Sequence, residues 1–287
     1  MNRDVELSRL RISRRRALAL GGTLTLSGVL AACGGADPDA APAATTTAVP
    51  SDIEPRLLAL LDEAPRCTMA VEETQGPYWF DVDSIRRDIR EDRPGLQLNL
   101  ALRVQDVRNC GPGGDAPAVA NAVVEIWHCD AGGVYSGYEA ASVAANGGTE
   151  APAVGGASSI VTMSDGSYSL DDGQIPTTDD GTYLRGAQTT DANGIAQFTT
   201  IFPGWYTGRT VHIHLKVHID RRTVLTTQLY LDDALSDDVF ASVSPYTDHP
   251  GRDTRNDTDV IFHDTGLVAT VREPDRILAA INLGLDA

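Results

Sequence analysis

Apolar and polar residues alternate along much of this chain with a period of two. The clearest run places Leu96, Leu98 and Leu100 on one side of the backbone and polar or small residues on the other. Alternation of this kind is typical of a strand with one buried face. Further strands are predicted at residues 122–127, 160–163, 195–200, 211–219 and 224–231.

Turn-forming sequences such as Asp165-Gly166 separate the predicted strands,. Short helices are predicted at residues 55–63, with the sequence PRLLALLDE, and at residues 275–283. Residues 139–159 are rich in Ala, Gly and Ser and are interpreted as an insertion,. Many short strands without regular helix alternation predict an all-β fold: a β-sandwich core with long loops and few short helices.

The first 33 residues are typical of an export signal and not of a folded domain. A basic SRRR sequence at 13–16 precedes an apolar run at 17–30 that is short for a membrane-spanning helix,. The sequence LAAC at 30–33 resembles a lipoprotein cleavage site. We therefore expect a twin-arginine lipoprotein signal at residues 1–33, with a lipid on Cys33. Cleavage nearby to give a free protein is the alternative.

Residues 34–52 are rich in Pro, Ala and Thr and are predicted to form a disordered tether,. Residues 53–287 then form one domain, large enough for a hydrophobic core. The expected location is extracytoplasmic, with the membrane contacted only through the lipid on Cys33. Twin-arginine export carries folded proteins, which allows a metal to be loaded before transport.

The chain is acidic, with a formal net charge of −17. Removing residues 1–32 takes away six arginines and two acidic residues and leaves about −21,. Nucleic-acid phosphates require Lys and Arg, so a nucleic-acid partner is not expected. The charge itself is explained by solubility.

Three cysteines remain once Cys33 carries a lipid: Cys67, Cys110 and Cys129. A disulfide is permitted outside the cytoplasm, but its connectivity is not fixed by sequence. We expect Cys110–Cys129, because these residues end two runs that are interpreted as neighbouring strands. No CxxC or paired Cys/His spacing indicates a zinc site.

The segment FPGWYTGRTVHIH at 202–214 carries the most informative chemistry. On a strand His212 and His214 share one face, with their Cα atoms about 7 Å apart, and can converge on one metal ion. A pair of surface histidines is the alternative. Tyr206 and Arg209 lie just upstream, and a second tyrosine, Tyr135, follows the strand that ends at Trp127. Phenolate oxygen suits ferric iron, and imidazole suits iron, copper or zinc.

Several motifs together resemble those of the intradiol ring-cleavage dioxygenases. They are GGVY (132–135), PGWY (203–206), RTVHIH (209–214) and TQLYL (227–231), with TQGPYW (74–79), RxDI (ending at Ile89) and TTDANG (189–194) in support. They follow a consistent order over residues 66–235. Members of this family use non-haem Fe(III) and O2 to open a catechol ring between its two hydroxyls, which gives a muconate-type diacid.

The resemblance implies a role for seven residues. The iron ligands would be Tyr135, Tyr206, His212 and His214, and Tyr206 would also act as the base that the substrate displaces. Arg209 would be a catalytic and substrate-binding cation. Gln228 and Tyr78 would form part of the substrate pocket. Thr207 replaces a proline that family members often carry, and only five residues separate Tyr206 from His212. A short loop must therefore bring Tyr206 to the metal.

Two other functions are compatible with parts of the sequence. A non-catalytic β-sandwich binding module would keep the fold without the chemistry, but the four ligand types and Arg209 are all present. A divalent-metal hydrolase would use the HxH pair, but no positioned carboxylate completes its set. The sequence leaves open which catechol is the substrate and whether the protein is a homo-oligomer; the helical dimer contact of catechol-type members is not expected.

Overall fold

The structure is a computed structural model and describes residues 54–82, 84–111, 115–145 and 175–286. The predicted export signal, the tether and the strand at 160–163 lie outside the described residues. So does most of the predicted insertion, of which only residues 139–145 are described.

Strands dominate the described part of the chain, as the alternating pattern predicts. The helices are α1 (Pro55–Glu63), α2 (Glu139–Ala145) and α3 (Asp233–Ser242). The strands are β1 (Gln97–Asp106), β2 (Val123–Trp127), β3 (Arg185–Thr189), β4 (Ile195–Ile201), β5 (His212–Ile219), β6 (Arg222–Tyr230), β7 (Ala269–Arg272) and β8 (Arg276–Leu285). None of the described helices is long and apolar enough to cross a membrane.

The strands form two four-stranded sheets, ordered β4-β1-β8-β7 and β3-β2-β5-β6. The pairs within each sheet are antiparallel except β1 with β8, which is parallel. Inward-facing residues such as Leu100 of β1 and Ile213 of β5 share one hydrophobic core. The all-β sandwich is therefore confirmed, with a few short helices at its surface.

Helix α1 forms where the sequence predicts it and covers the outer face of the first sheet. Leu57, Leu60 and Leu61 are buried against Leu278 and neighbouring residues of that sheet. Pro55 opens the helix, where its missing N–H costs nothing,. The outer face of the second sheet carries polar residues instead.

The prediction of a helix at 275–283 is wrong, because this segment forms strand β8. The sequence ILAAINLGL contains good helix formers, but β8 is a central strand buried on both faces. Ile277 and Ala279 face the main core, whereas Leu278 and Ala280 face α1. A strand buried on both sides loses its polar alternation and cannot be told from a buried helix by periodicity. Helix α3, which begins at the cap residue Asp232, was not predicted.

The expected Cys110–Cys129 disulfide is also wrong. Cys67 pairs with Cys110, with their Cα atoms 5.9 Å apart, and Cys129 is a free, buried thiol. The expectation failed because β1 and β2 belong to different sheets, so Cys110 and Cys129 do not end neighbouring strands.

Candidate metal centre

Strand β5 points His212 and His214 away from the sandwich interior, as its alternation predicts. Val211, Ile213 and Leu215 enter the core. The two histidines are nevertheless only 2% exposed, because segments outside the sheet cover this face. The alternative of surface histidines is therefore excluded.

His214 lies in a row of side chains that crosses the second sheet. The register pairs Arg185 with Trp127, Trp127 with His214, and His214 with Gln228. The Trp127 indole stacks on the His214 imidazole, with ring centroids 5.0 Å apart and planes 6° apart. This stacking restricts rotation of the imidazole.

The loop after β2 brings Tyr135 to the histidines. A turn centred on Asp130 forms because its carboxylate accepts the N–H groups of Gly132 and Val134, at 2.9 and 3.0 Å. The Tyr135 N–H then donates to Ser142 Oγ at 3.1 Å. The Tyr135 side chain is fully buried as a result.

The loop before β5 brings in Tyr206 and is joined to the Tyr135 loop. The Gly204 N–H donates to the Asp130 carbonyl at 3.1 Å. A Cβ at Gly204 would lie 2.2 Å from that oxygen, so only glycine permits the approach. The Arg209 N–H donates to the Tyr206 carbonyl at 3.2 Å and closes the short loop. Thr207 does not prevent Tyr206 from reaching the site.

Three donor atoms lie close to a fourth, His212 Nε2. The Tyr135 hydroxyl lies 3.3 Å from it, the Tyr206 hydroxyl 3.1 Å and His214 Nε2 3.1 Å. Donors bound to one ion at about 2 Å are separated by roughly 3 Å, so this spacing fits a shared metal ion. The four residues implied as ligands therefore lie together.

Hydrogen bonding fixes which nitrogen of His212 is available to a metal. His212 Nδ1 lies 2.7 Å from the Thr210 carbonyl, which can only accept, so Nδ1 carries the proton,. The Nε2 lone pair then points at the cluster, as in metal-bound histidines held by an outer carbonyl. His214 Nδ1 is buried and has no hydrogen-bond partner among the residues that the structure describes.

Burial keeps all four donors in their neutral forms while no cation is bound. Desolvation lowers the pKa of His212 and of His214 well below 6.5, and Arg209 adds to both shifts. Burial raises the pKa of Tyr206 to about 12, opposed by Arg209, and raises that of Tyr135 well above 10. A bound cation would instead lower the pKa of the two phenols and favour their ionised forms.

The donor set suits ferric iron better than a divalent ion. Among the described residues, no group of three or more His, Cys, Asp or Glu side chains is placed to hold a metal. The cluster instead combines two imidazoles with two phenols, which offer two negative charges when ionised. The divalent-metal hydrolase therefore lacks its carboxylate ligand in the described part of the chain.

Arg209 and Gln228 contact each other beside the cluster. Arg209 Nη2 donates to Gln228 Oε1 at 2.5 Å, and Gln228 Nε2 donates to the Thr74 carbonyl at 2.9 Å. Arg209 Nε also donates to Asp259 at 2.9 Å. No sequence pattern indicated Asp259, because its contact with Arg209 spans 50 residues.

Tyr78 packs against two buried tyrosines beside the cluster. Its ring centroid is 4.9 Å from that of Tyr135 and 5.2 Å from that of Tyr138. Gly76 approaches His214 so closely that a Cβ would lie 3.2 Å from Cε1. The TQGPYW motif therefore covers the face of the second sheet that carries His214.

Arg185 is a second buried cation on this face of the sheet. Its Nε and Nη2 donate to Ser136 Oγ and to the Ser136 carbonyl, each at 2.8 Å. It is 1% exposed, so it does not line an open entrance. Burial lowers its pKa to about 10. Its contacts brace the loop that carries Tyr135.

Comparison with known proteins identifies the family of this chain. The family model described as Dioxygenase matches residues 75–249, which is more than half of the chain. The chain belongs to the intradiol ring-cleavage dioxygenase family. No curated protein matches it.

Solved structures of this family are similar to the chain. An intradiol ring-cleavage dioxygenase from Tetranychus urticae is 28% identical, with a TM-score of 0.60 over 77% of this chain and 95% of that one. The dioxygenase domain of a carbohydrate-binding fusion from Streptomyces sp. SirexAA-E is 25% identical, with a TM-score of 0.48 over 77% and 99%. A 3-chlorocatechol 1,2-dioxygenase from Rhodococcus opacus 1CP is 17% identical, with a TM-score of 0.43 over 75% and 72%.

Proposed function

We propose that this protein is an Fe(III)-dependent dioxygenase that opens a catechol-type ring between its two hydroxyls. The observation that carries the proposal is the convergence of Tyr135, Tyr206 and His214 on His212 Nε2 within 3.3 Å. Family membership supports the reaction class. A ferric ion held there would act as a Lewis acid toward both catechol oxygens and make the ring reactive toward O2.

The four donors have different access to solvent, which assigns them different roles. Tyr135, His212 and His214 are buried, whereas Tyr206 is half-buried. The buried donors would hold the metal permanently. Tyr206 would then be the donor that gives way to a catechol, and its phenolate oxygen would accept a proton from a catechol hydroxyl.

Arg209 would stabilise the negative charge of the bound catecholate. Its guanidinium carries a fixed charge, is largely buried and has its Nη2 held by Gln228. A preorganised cation in a shielded pocket stabilises developing charge without reorganisation. Tyr78 would pack against the ring of the substrate, since it already packs on Tyr135.

The test is iron loading combined with oxygen uptake. Protein expressed with ample iron should be coloured by tyrosinate-to-iron charge transfer and contain stoichiometric iron. It should consume O2 with at least one of catechol, hydroxyquinol and protocatechuate. Colourless, iron-free protein would contradict the proposal and favour a binding module, whereas iron-loaded protein inert toward all three would contradict the assigned substrate class.

We further propose that the domain is exported by the twin-arginine route and anchored by a lipid on Cys33. The support is the sequence at 13–33 alone. Membrane fractionation of cells making the full chain or Cys33→Ser tests this. The variant should leave the membrane fraction, and an unchanged distribution would contradict the anchor.

A further inference from the structure

Residues 252–259, here called the clasp segment, hold the loop between Tyr206 and His212 from outside. Asp253 Oδ1 accepts the Gly208 N–H at 3.1 Å, and Asp259 Oδ2 accepts the Thr210 N–H at 2.8 Å. The segment begins beyond the residues matched by the family model, which end at 249.

The clasp segment is itself held by helix α3 and the end of β6. Arg252 pairs with Asp233 at 2.5 Å and with Asp237 at 2.7 Å. Asn256 donates its amide to the Leu231 carbonyl at 2.9 Å. The segment is therefore a fixed support against which the loop can be positioned.

Asp259 is the part of the segment that reaches the active-site cation. Its side chain is fully buried, and Oδ2 accepts from Arg209 Nε at 2.9 Å as well as from Thr210. Oδ1 accepts the Ile261 N–H at 2.8 Å. Gln228 holds the neighbouring Nη2 of Arg209. The two contacts together fix the plane of the guanidinium.

We propose that Asp259 is a positioning residue for ring cleavage: with Gln228 it holds Arg209 in the orientation that stabilises a bound catecholate. This rests on the proposed function. A buried carboxylate paired to a single arginine orients that cation more strictly than a neutral acceptor does. The alternative role is purely structural, in which Asp259 only pins the start of β5 through the Thr210 N–H.

Asp259→Asn separates these two roles, because its amide oxygen can still accept the Thr210 N–H at the start of β5, but the neutral side chain cannot form an ion pair with Arg209. The amide nitrogen replaces Oδ1, so the Ile261 N–H loses its acceptor. We expect kcat to fall about 10- to 100-fold, since a displaced catalytic group costs that much. Iron content and the charge-transfer band should stay unchanged. The matched control is Asp257→Asn, the same charge change at an exposed position two residues away, which should leave kcat unchanged.

A double-mutant cycle with Arg209→Met tests whether Asp259 acts through Arg209. In the Arg209→Met holoenzyme, adding Asp259→Asn should cause no further loss of kcat. Thermal unfolding of the same four proteins should show coupling between the two positions, independently of substrate. If Asp259→Asn alone does not fold, comparing Arg209→Met with the double variant still decides the question.

Each outcome has a distinct meaning. Equal losses of kcat in both backgrounds, or an Asp259→Asn enzyme as active as Asp257→Asn, would overturn the positioning role while leaving the proposed function intact. An iron-loaded wild-type protein that opens none of the catechols would overturn the proposed function, and the positioning role with it.

Discussion

At the scale of single residues, the site depends on where each donor atom is held and not on its identity alone. His212 is oriented by the Thr210 carbonyl and His214 by the Trp127 ring. Tyr135 is buried and Tyr206 half-buried. Two chemically identical tyrosines are therefore expected to behave differently when substituted.

Tyr135→Phe should lower iron affinity by about tenfold or more, because losing a ligand costs at least as much as losing an outer-sphere partner. The charge-transfer band should weaken in parallel. Iron analysis and the visible spectrum measure both. Tyr138→Phe is the matched control, since its hydroxyl is also buried but donates to the Trp79 carbonyl. Equal iron content in the two variants would remove Tyr135 from the ligand set.

Gly76→Ala should weaken the metal site as well as the fold. Gly76 has φ +71°, so alanine costs about 1–2 kcal/mol of stability,, and the new methyl group would press on His214 Cε1. Gly251→Ala is the control, with φ +95° and nothing within 4 Å. Both variants should lose stability in denaturant unfolding, but only Gly76→Ala should lose iron. Equal iron loss would contradict the contact.

At the scale of elements, the sequence predicts what local periodicity encodes. Strand β5, the HxH face and helix α1 follow from alternation and helix signals within a few residues. The assignment of 275–283 failed because β8 is identified by its partners, β1 and β7, and not by its own pattern. The disulfide prediction failed for a related reason, because the sequence does not show that β1 and β2 lie in different sheets. The contact of Arg209 with Asp259 could not be predicted either, because the two residues are 50 positions apart. Tyr135 and Tyr206 were picked out as candidates by their side-chain chemistry, and the family resemblance then implied their pairing with the two histidines.

The Cys67–Cys110 disulfide closes a 43-residue separation that includes β1. Loop-closure entropy predicts that replacing both cysteines with serine lowers the free energy of unfolding by about 3–4 kcal/mol. Denaturant unfolding of wild type and the double variant measures this, with iron content as the control for an intact site. A loss below about 1 kcal/mol would contradict a stabilising disulfide.

At the scale of the whole molecule, one sheet supplies the site while the other contributes the opposite half of the core. The site lies on the outer face of the second sheet and is closed by the TQGPYW segment, the two tyrosine loops and the clasp segment. Stability and site geometry are therefore linked, because the same loops bury polar groups that water would otherwise solvate.

The fully buried His128, which lies 2.7 Å from Thr200 Oγ1 of β4, is expected to lower the stability of the fold in acid. Burial lowers its pKa from 6.5 to about 4, so the unfolded chain binds a proton that the folded chain does not between these values. Stability should therefore fall as pH drops from about 6.5 to about 4, by about 3 kcal/mol from this group. Denaturant unfolding of wild type and His128→Gln at several pH values measures how steeply the free energy of unfolding of each protein changes with pH, and the slope should be smaller for the variant. Identical slopes would contradict it.

The central claim is that the tyrosine–histidine cluster supports intradiol cleavage of a catechol by O2. The most direct measurement is the mass and structure of the product formed from an accepted catechol under ¹⁸O2 by the iron-loaded protein. The account predicts a muconate-type diacid that carries both oxygen atoms of one O2 molecule. A ring-opened aldehyde acid, or a diacid without label from O2, would contradict it.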